Sequence, residues 1–518
     1  MKPENKWFLI AITLTCFFVI GSCSKKNKAP KSEQHQKIID SFEPFPADTG
    51  HLVAEYWYSV WLQDKPAGFH HVIVTRHKTP GGPRFLYKSH SKMIMRIGQD
   101  QSELTFEGKE LVNASGQLLR LEETETEKGA DSIVVSAGKV DQEMITIRGP
   151  EVKKTQFEPE AIRSESYRFL FLEQKPSIND TKNYRTFKTD LAGYVDNRLV
   201  VKKLPTDESG FIEVEQTTAA MLGVVAKIKL DDQLVPRETV TSLGALRLRF
   251  KRESRPLDFN QNNDAPDLAQ LTIIPSNVKF KEPARVKRVK YSIQGFPGQV
   301  DESWLTGPGQ SAVSSSAKGS FVIETTRPGK PESISFPPKI TNPKLERFLV
   351  STSLSQVDDP EIQATAKKIT DGLSDSWIAA KRLRNYVSSS INGTRSLSFA
   401  SAAEVLRQKK GDCSEQSVLL ATLARAVGIP ARCVMGLVYA DGSYNRHMWT
   451  EVWVGRWQPL DAAMQVDFIG PTWIRLGVHL LQLSSDTREG IGGLLAFAAD
   501  LKITVVEFES DDSSTILR

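Results

Sequence analysis

The sequence predicts an α+β protein in which a large antiparallel β-rich region precedes a smaller domain of helices packed on an antiparallel sheet. Two observations favour this class. Short runs rich in aromatic and β-branched residues, separated by turn residues, recur over residues 49–250, with one helix-like segment at 161–172. Helix-start signals and apolar spacings of three and four follow after residue 341. A chain of 518 residues has room for two to four domains.

Residues 1–22 have the pattern of an export signal. Lys2 and Lys6 make the start positive, and residues 8–20 form an apolar core that is too short for a comfortable membrane span. Residues 20–23 (Ile-Gly-Ser-Cys) resemble the bacterial lipobox, which implies cleavage before Cys23 and diacylation of that residue. We therefore expect a lipoprotein anchored to a membrane of the cell envelope, on its periplasmic or extracellular face. The alternative is an ordinary cleaved signal with an incidental cysteine.

Three regions lie between the signal and residue 341. Residues 23–48 are polar and rich in Lys, Ser and Pro, which is typical of a tether. For the β-rich domain at 49–250 we expect an antiparallel sheet, either sandwich-like or a curved half-barrel. His70 and His71 are adjacent there, so on a strand they point to opposite faces and cannot chelate one ion. Residues 251–340, with many Pro and Gly residues, predict a small β module or a β extension of the next domain.

Charge and cysteine content exclude several classes of protein. The net charge of +5 is small for this length, and no nucleic-acid motif, EF-hand loop or zinc spacing is present. We therefore expect no nucleic-acid partner, no metal and no cofactor. Cys16 leaves with the signal, so only Cys413 and Cys433 remain beside the lipidated Cys23, too few for a disulfide framework. Cys433 lies in an apolar strand and is expected to be a buried small hydrophobic residue.

Residues 341–518 form the predicted α+β domain. Asp359 before a proline predicts one helix start, a second helix is expected over 375–389, and Ser401 with Glu404 forms a capping box before a third. Further strands are expected at 466–476 and 503–508. The apolar run at 491–499 is too short to span a membrane and is expected in the core.

Cys413 lies at the predicted start of a buried helix in this domain. Asp412 is a good N-cap, and Glu415, three residues later, completes a capping box. Apolar spacing continues up to Gly428 and Pro430, which end the helix. The partial positive charge of a helix N-terminus favours an anion, so this position favours the thiolate, the reactive form of cysteine.

His447 and Asp461 are expected close to that thiolate. His447 opens a strand of alternating character, and Asp461 ends the next short strand after a turn at Gly455-Arg456. In an antiparallel hairpin the end of one strand lies beside the start of its partner. Imidazole is the usual group that takes the proton from a cysteine nucleophile, and a carboxylate can orient the ring through its other N–H.

Together these motifs resemble the transglutaminase-like superfamily, a branch of the papain-like Cys-His-Asp enzymes. The resemblance lies in residues 411–413 (Gly-Asp-Cys), 424–432 (Ala-Arg-Ala-Val-Gly-Ile-Pro-Ala-Arg), 447–452 (His-Met-Trp-Thr-Glu-Val) and 457–461 (Trp-Gln-Pro-Leu-Asp). It implies a papain-like catalytic domain at 341–518, with Cys413 as nucleophile, His447 as base and Asp461 as orienting acid. The family supplies an oxyanion side chain upstream of the cysteine, but no motif locates it here.

The resemblance implies a thiol enzyme that cleaves or transfers acyl groups of peptide or protein amides through a thioester. Water as acceptor gives a peptidase or amidase, a lysine amine gives cross-linking, and the three residues do not choose between them. The alternative is a non-catalytic lipoprotein that uses the same fold as a protein-binding or assembly module. Trp449, Trp453 and Trp457 could line a substrate groove, although packing around a sheet is the commoner role of aromatic residues.

Overall fold

The described part of the chain divides into two compact units. The computed structural model describes residues 33–516 apart from residues 48, 98–99, 129–131, 149–150, 165, 172–173, 190–191, 207–209, 219–223, 244–245, 256–264, 268–272, 297–299, 332, 353, 394–399, 465, 467–468, 480–498 and 512–513. The export-signal pattern and Cys23 lie outside these residues. One unit comprises Met1–Ser242 with Leu246–Leu268, and the other Leu243–Ala245 with Ala269–Arg518. Within the described residues, no helix has both the length and the apolar character needed to cross a membrane.

The first unit is built on a single antiparallel sheet of 14 strands. In chain order they are β1 His51–Leu62, β2 Lys65–Thr79, β3 Gly82–Ile97, β4 Asp100–Asn113, β5 Leu118–Glu127, β6 Ile133–Val140, β7 Glu143–Arg148, β8 Glu151–Gln156, β9 Thr181–Lys188, β10 Gly193–Lys203, β11 Ile212–Thr218, β12 Val225–Leu230, β13 Pro236–Leu243 and β14 Leu246–Glu253. Strands adjacent in sequence are adjacent in the sheet, except that β1 pairs with β14 and leaves β8 and β9 at the two ends. The predicted antiparallel sheet is therefore confirmed, as one continuous sheet.

Alternate residues of these strands face the core. In β1, Val60 and Leu62 are fully buried, and in β2 the same is true of Val74. This period of two is the pattern of a sheet with one covered face. His70 and His71 follow it, because His70 pairs with Tyr58 of β1 and is buried, whereas His71 pairs with Trp57 and stacks on its ring. The prediction that they point to opposite faces is confirmed.

Two local predictions in the first unit differ from the structure. The segment expected to be a tether contains a helix, α1 (Glu33–Asp40), and Ile39 and Phe42 are buried against Ile145 and Ile147 of β7. A short apolar pair inside a polar window is enough to dock this helix, although composition alone indicated a linker. The helix-like segment at 161–172 forms only a short 3-10 helix, Tyr167–Phe171.

The second unit contains two five-stranded sheets. Their strands are β15 Ile274–Pro275, β16 Val286–Gln294, β17 Gln310–Ser314, β18 Ser320–Thr326, β21 Ala431–Ala440, β22 Ser443–Trp453, β23 Trp457–Leu460, β24 Trp473–His479, β25 Lys502–Ser510 and β26 Ser514–Ile516, while β19 Asn392–Gly393 and β20 Lys410–Gly411 form a small parallel pair. One sheet has the order β17-β18-β16-β25-β26. The other has the order β15-β22-β21-β24, with β23 also on β22.

The strands of residues 251–340 do not form a sheet of their own. β16 pairs along its length with the C-terminal strand β25, for example at Val289 opposite Phe508. The predicted strand at 503–508 is thus present, as β25. The strand expected at 466–476 is shifted to β24, and the apolar run at 491–499 lies outside the described residues except for its buried last residue, Ala499.

Helices share one core with the β15-β22-β21-β24 sheet, which confirms the α+β domain. They are α3 Pro360–Thr370, α4 Ser376–Ser390, α5 Ala402–Gln408 and α6 Cys413–Ala426, after a single turn, α2 Glu302–Leu305. The predicted N-caps are present: Asp359 accepts from the N–H groups of Glu361 and Ile362, and Ser401 with Glu404 forms a capping box. Helix α6 is buried from Glu415 to Arg425 and packs on β22, which gives this half of the unit its core.

Candidate active site

Cys413 is the first residue of α6, and the predicted capping box holds it there. The Asp412 side chain accepts from the Ser414 N–H at 2.7 Å, and the Glu415 carboxyl accepts from the Asp412 N–H at 2.8 Å. Cys413 is partly exposed, although the helix behind it is buried. The thiol therefore lies at the positive end of a rigid helix, where solvent and substrate can reach it.

Glu415 also has an electrostatic consequence for this helix end. Burial, followed by the negative charge of Asp412, raises the pKa of the Glu415 carboxyl well above its usual range. This shift favours the protonated, neutral form of the carboxyl. A neutral Glu415 satisfies the cap without placing a second negative charge beside a Cys413 thiolate.

His447 lies where, among the described residues, one edge of β22 has no strand beside it. On the edge away from β21, pairing with β15 ends at Tyr444, and pairing with β23 begins at Thr450. Between them, at residues 445–449, the described part of the chain provides no strand partner for this edge. We call this interval the notch. Asp461 directly follows β23, so the hairpin brings it to His447, as the sequence predicts.

The imidazole joins the thiol and the carboxylate. His447 Nε2 lies 2.5 Å from Asp461 Oδ2, and both side chains are buried. The other Asp461 oxygen accepts from the Met464 N–H at 2.8 Å, which fixes the carboxylate plane. The Cys413 side chain is the second group that interacts electrostatically with the His447 ring. Since Nε2 faces Asp461, Nδ1 is the ring nitrogen left for the sulfur.

These partners determine the charge of the ring. Burial lowers the pKa of His447, but its hydrogen bonds with Asp461 and Cys413, together with their negative charges, outweigh burial and raise that pKa to about 10. The imidazole is therefore positively charged at neutral pH. A cationic ring that interacts with a cysteine side chain can serve as the proton carrier for that cysteine.

Residues that the sequence reasoning missed surround this arrangement. Trp473 of β24 packs its ring edge-on against His447, with centroids 5.2 Å apart, and also against Trp449 at 5.6 Å. Behind Asp461, α4 contributes the Ser388 hydroxyl, which donates to the Ala462 carbonyl at 2.7 Å, and the buried Arg384, whose charge interacts with Asp461. The only sequence signal was a tryptophan in a predicted strand and polar residues in an amphipathic helix.

The remaining candidate residues, three tryptophans and Cys433, pack against other side chains of the domain. Trp449 belongs to a buried cluster with Trp473 and Val434, while the Trp453 and Trp457 rings pack on each other. Cys433 is fully buried, as its apolar strand predicts. Among the described residues no group of three His, Cys, Asp or Glu side chains could hold a metal ion.

The family comparison covers this arrangement. The profile of the transglutaminase-like superfamily matches residues 363–462, which include Cys413, His447 and Asp461. The chain therefore carries a transglutaminase-like superfamily domain, the family that its motifs resemble. A domain of that superfamily is consistent with a thiol enzyme. No curated protein matches the sequence.

Three solved structures show partial similarity. A candidate cysteine protease from Cytophaga hutchinsonii is 16% identical, with the match covering 45% of this chain and 90% of the other at a TM-score of 0.28. A candidate protease from Parabacteroides distasonis is 12% identical, covering 72% and 66%, with a TM-score of 0.20. A β-barrel-like protein of a domain of unknown function from Brucella abortus is 13% identical, covering 38% and 95%, with a TM-score of 0.29. TM-scores this low support no assignment of function.

Proposed function

We propose that this protein is a thiol enzyme that transfers or hydrolyses acyl groups of peptide or protein amides. Cys413 is the nucleophile, His447 the proton carrier and Asp461 the orienting acid. One observation carries the proposal: the His447 ring contacts the Asp461 carboxylate at 2.5 Å, and its interactions with Asp461 and Cys413 raise its pKa to about 10 against the opposing effect of burial. A purely structural histidine does not need a thiol partner at a helix start.

The reaction runs in two steps. The Cys413 thiolate attacks the amide carbonyl carbon and forms the C–S bond, and the charge that develops on the carbonyl oxygen is held by backbone N–H groups at the start of α6. His447 gives its proton to the leaving nitrogen as the C–N bond breaks, which leaves a thioester and a free amine. Water or a second amine then attacks the thioester, His447 takes the proton of that nucleophile, and the thiolate leaves.

Asp461 keeps the ring in the orientation that this cycle needs. Its contact with Nε2 leaves Nδ1 towards the sulfur in both steps, and its negative charge stabilises the imidazolium. Trp473 covers one side of the ring and limits the access of water to the ion pair. The choice of water or amine as acceptor depends on the groove around the thioester, so hydrolysis and cross-linking are both outcomes of this mechanism.

The proposal includes a place for the enzyme. The lipobox-like residues 20–23 would anchor the chain at a membrane surface through Cys23, with the catalytic unit on the outer side of that membrane. Cys23→Ala should move the protein from the membrane fraction to the soluble fraction. A Cys23→Ala variant that stays in the membrane fraction like the wild-type protein would contradict the lipid anchor.

Thiol alkylation tests the ion pair without a known substrate. Iodoacetamide should label Cys413 rapidly at pH 6–7, and His447→Ala should slow this labelling, because the imidazolium that holds the thiolate is lost. Cys433 is an internal control: it is fully buried, and burial raises the pKa of its thiol to about 12. Its labelling should be slow in both proteins. Equal, slow labelling of Cys413 in both would instead favour a non-catalytic binding module.

Substrate profiling then separates hydrolysis from transfer. Peptide amide libraries should be incubated with the protein, with and without a primary amine, and the products identified by mass spectrometry. Cys413→Ala should abolish every product, because no other described thiol can form the thioester. Free carboxyl products identify a peptidase or amidase, and amine-linked products identify a transglutaminase-type reaction.

A further inference from the structure

The nucleophile and the base of the proposed enzyme lie on different elements, α6 and β22. Two buried hydroxyl groups connect these elements beside the site. Ser417 Oγ lies 2.7 Å from the carbonyl oxygen of Cys413, one turn earlier in the helix, and 3.0 Å from the carbonyl oxygen of Met448, the residue after His447. One hydroxyl thus contacts the backbone of the nucleophile and the backbone beside the base.

Thr450 of β22 makes the reciprocal contact, from the strand to the helix. Its hydroxyl donates to the Ser417 carbonyl at 3.0 Å, so side chains of both elements bond to the backbone of the other. Both residues are buried, with exposures of 3% for Ser417 and 0% for Thr450. In such surroundings a lost hydrogen bond is not replaced by water, and the contacts are therefore stronger restraints than at a surface.

The position of these contacts is specific. Ser417 reaches β22 inside the notch, where the described part of the chain provides no strand on that edge. The apolar packing of α6 on β22 resists separation of the two elements but resists sliding only weakly, whereas hydrogen bonds are directional. A shift of about 1 Å between reacting groups can cost on the order of a hundredfold in rate.

We infer that Ser417 and Thr450 are positioning residues that set the contact between Cys413 and His447. This inference rests on the proposed function. Neither hydroxyl touches the reacting atoms; both act through the backbone of α6 and β22. Loss of either one should let the helix start move relative to the strand and weaken the ion pair.

The chain offers a matched control for a merely structural hydroxyl. Thr422 lies in the same helix and is fully buried, and its hydroxyl contacts the Val418 carbonyl at 2.7 Å and Ser355 Oγ at 2.8 Å. It resembles Ser417 in burial and in its bond to the preceding turn. It differs in that its second partner is not on the strand that carries His447.

The experiment compares alkylation of Cys413 by iodoacetamide at pH 6 and at pH 9 in the full-length protein. In Ser417→Ala and Thr450→Val the rate at pH 6 should fall on the order of tenfold, because a loosened pair loses its thiolate as the pH falls. The rate at pH 9 should change little. Thr422→Val should keep the wild-type ratio of the two rates, and Thr450→Ser, which retains the hydroxyl, should restore it.

Two results would overturn the inference: folded Ser417→Ala and Thr450→Val proteins with the wild-type ratio, or a Thr422→Val protein with an equal loss. If Ser417→Ala does not fold, the ratio of the two alkylation rates in Thr450→Val is compared with the ratio in Thr450→Ser, and this comparison decides. His447→Ala separates this inference from the proposed function. If His447→Ala has the wild-type ratio of the two rates, the proposed function fails. If His447→Ala changes the ratio but Ser417→Ala has the same ratio as Thr422→Val, only the positioning role fails.

Discussion

Two buried histidines, one in each compact unit, differ strongly in their protonation. His447 in the second unit has its pKa raised to about 10, whereas His70 in the first unit has its pKa lowered to about 3. Both rings are buried, and each makes a short polar contact, His447 with Asp461 at 2.5 Å and His70 with Ser91 at 2.6 Å. Depth of burial therefore does not distinguish them.

The charge of their partners distinguishes the two histidines. Burial disfavours the charged form of both rings. At His70 it is the largest cause of the lowered pKa, and the Arg163 cation lowers that pKa further, while Ser91 is neutral. At His447 the bonds with Asp461 and Cys413 outweigh burial. A buried imidazole can carry protons at neutral pH only where anionic partners offset its desolvation, and this separates the candidate site from the interior of the sheet.

The comparison depends most on the Asp461 carboxylate. Asp461→Asn keeps the shape of the side chain but removes its charge, so the pKa of His447 should fall. Turnover of a substrate amide should fall by about 10²- to 10⁴-fold in kcat/KM, because the imidazolium is no longer stabilised. Steady-state kinetics on the best peptide from the library measure the fall in turnover, and an NMR titration of the histidine ring measures the fall in its pKa.

Asp359→Asn is the matched control for this change. Asp359 is also a carboxylate of the second unit with hydrogen-bonded partners, but it caps α3 and pairs with Arg407 instead of contacting the site. It should lower stability slightly and leave kcat/KM of the folded enzyme unchanged. Wild-type turnover in Asp461→Asn would show that the carboxylate contact is structural, and the contrast with His70 would lose its functional meaning.

The opposite pKa shifts predict opposite pH dependences of stability. Protonated His447 stabilises the fold because its pKa is raised in the folded state. This contribution is fully present below pH 6.5, the usual pKa of the ring, and is lost as the pH rises from 6.5 through about 10. Neutral His70 stabilises the fold above pH 6.5, and this contribution is lost as the pH falls from 6.5 towards 3. Each slope is at most about 1.4 kcal/mol per pH unit.

Variants separate these two contributions from the remaining titrating groups. Urea unfolding should be followed from pH 4 to pH 9.5 by hydrogen exchange, so that each unit is monitored on its own. The difference between wild type and His447→Gln should shrink on the alkaline side, and the difference between wild type and His70→Gln should shrink on the acid side. Parallel curves for either variant would contradict the shift of that histidine.

Much of the fold could be predicted because its signals are local. The capping box of Asp412 and Glu415 places the start of α6 correctly, and alternation of apolar residues gives most of the strands. Helix α1 was missed because its contribution to the core is only Ile39, followed by Phe42, within a polar segment. The pairing of β16 with β25 joins segments about 200 residues apart, and local pattern contains no information on such partners.

The site shows the same division. Cys413 and Asp461 could be predicted because each lies at the end of a recognisable element. The expectation that His447 opens its strand is wrong, because β22 begins at Ser443, but the hairpin with β23 still brings His447 to Asp461. Trp473, Ser417 and Arg384 could not be predicted, because nothing local distinguishes a tryptophan, serine or arginine that faces the site from one that faces elsewhere. Their contribution arises only from the three-dimensional packing of β24, α6 and α4.

The smallest expected effect concerns the Arg163 charge near His70. Arg163 Nε lies 2.7 Å from a carboxylate oxygen of Glu110, and both side chains are largely buried. The double change Arg163→Gln and Glu110→Gln removes both charges of this ion pair. A single change would leave one buried charge unpaired, which would be strongly destabilising. Because burial is the larger cause, the pKa of His70 should rise only slightly and stay well below 6.5.

An NMR titration of the double variant measures this shift, and the His447 resonance in the second unit serves as the internal control, since neither of its named partners is altered. A His70 ring that titrates close to 6.5 after the change would show that the arginine charge, and not burial, keeps it neutral. The two histidines would then obey one rule, with the sign of the nearest charge deciding each ring, and desolvation would be a minor contribution even deep inside the sheet.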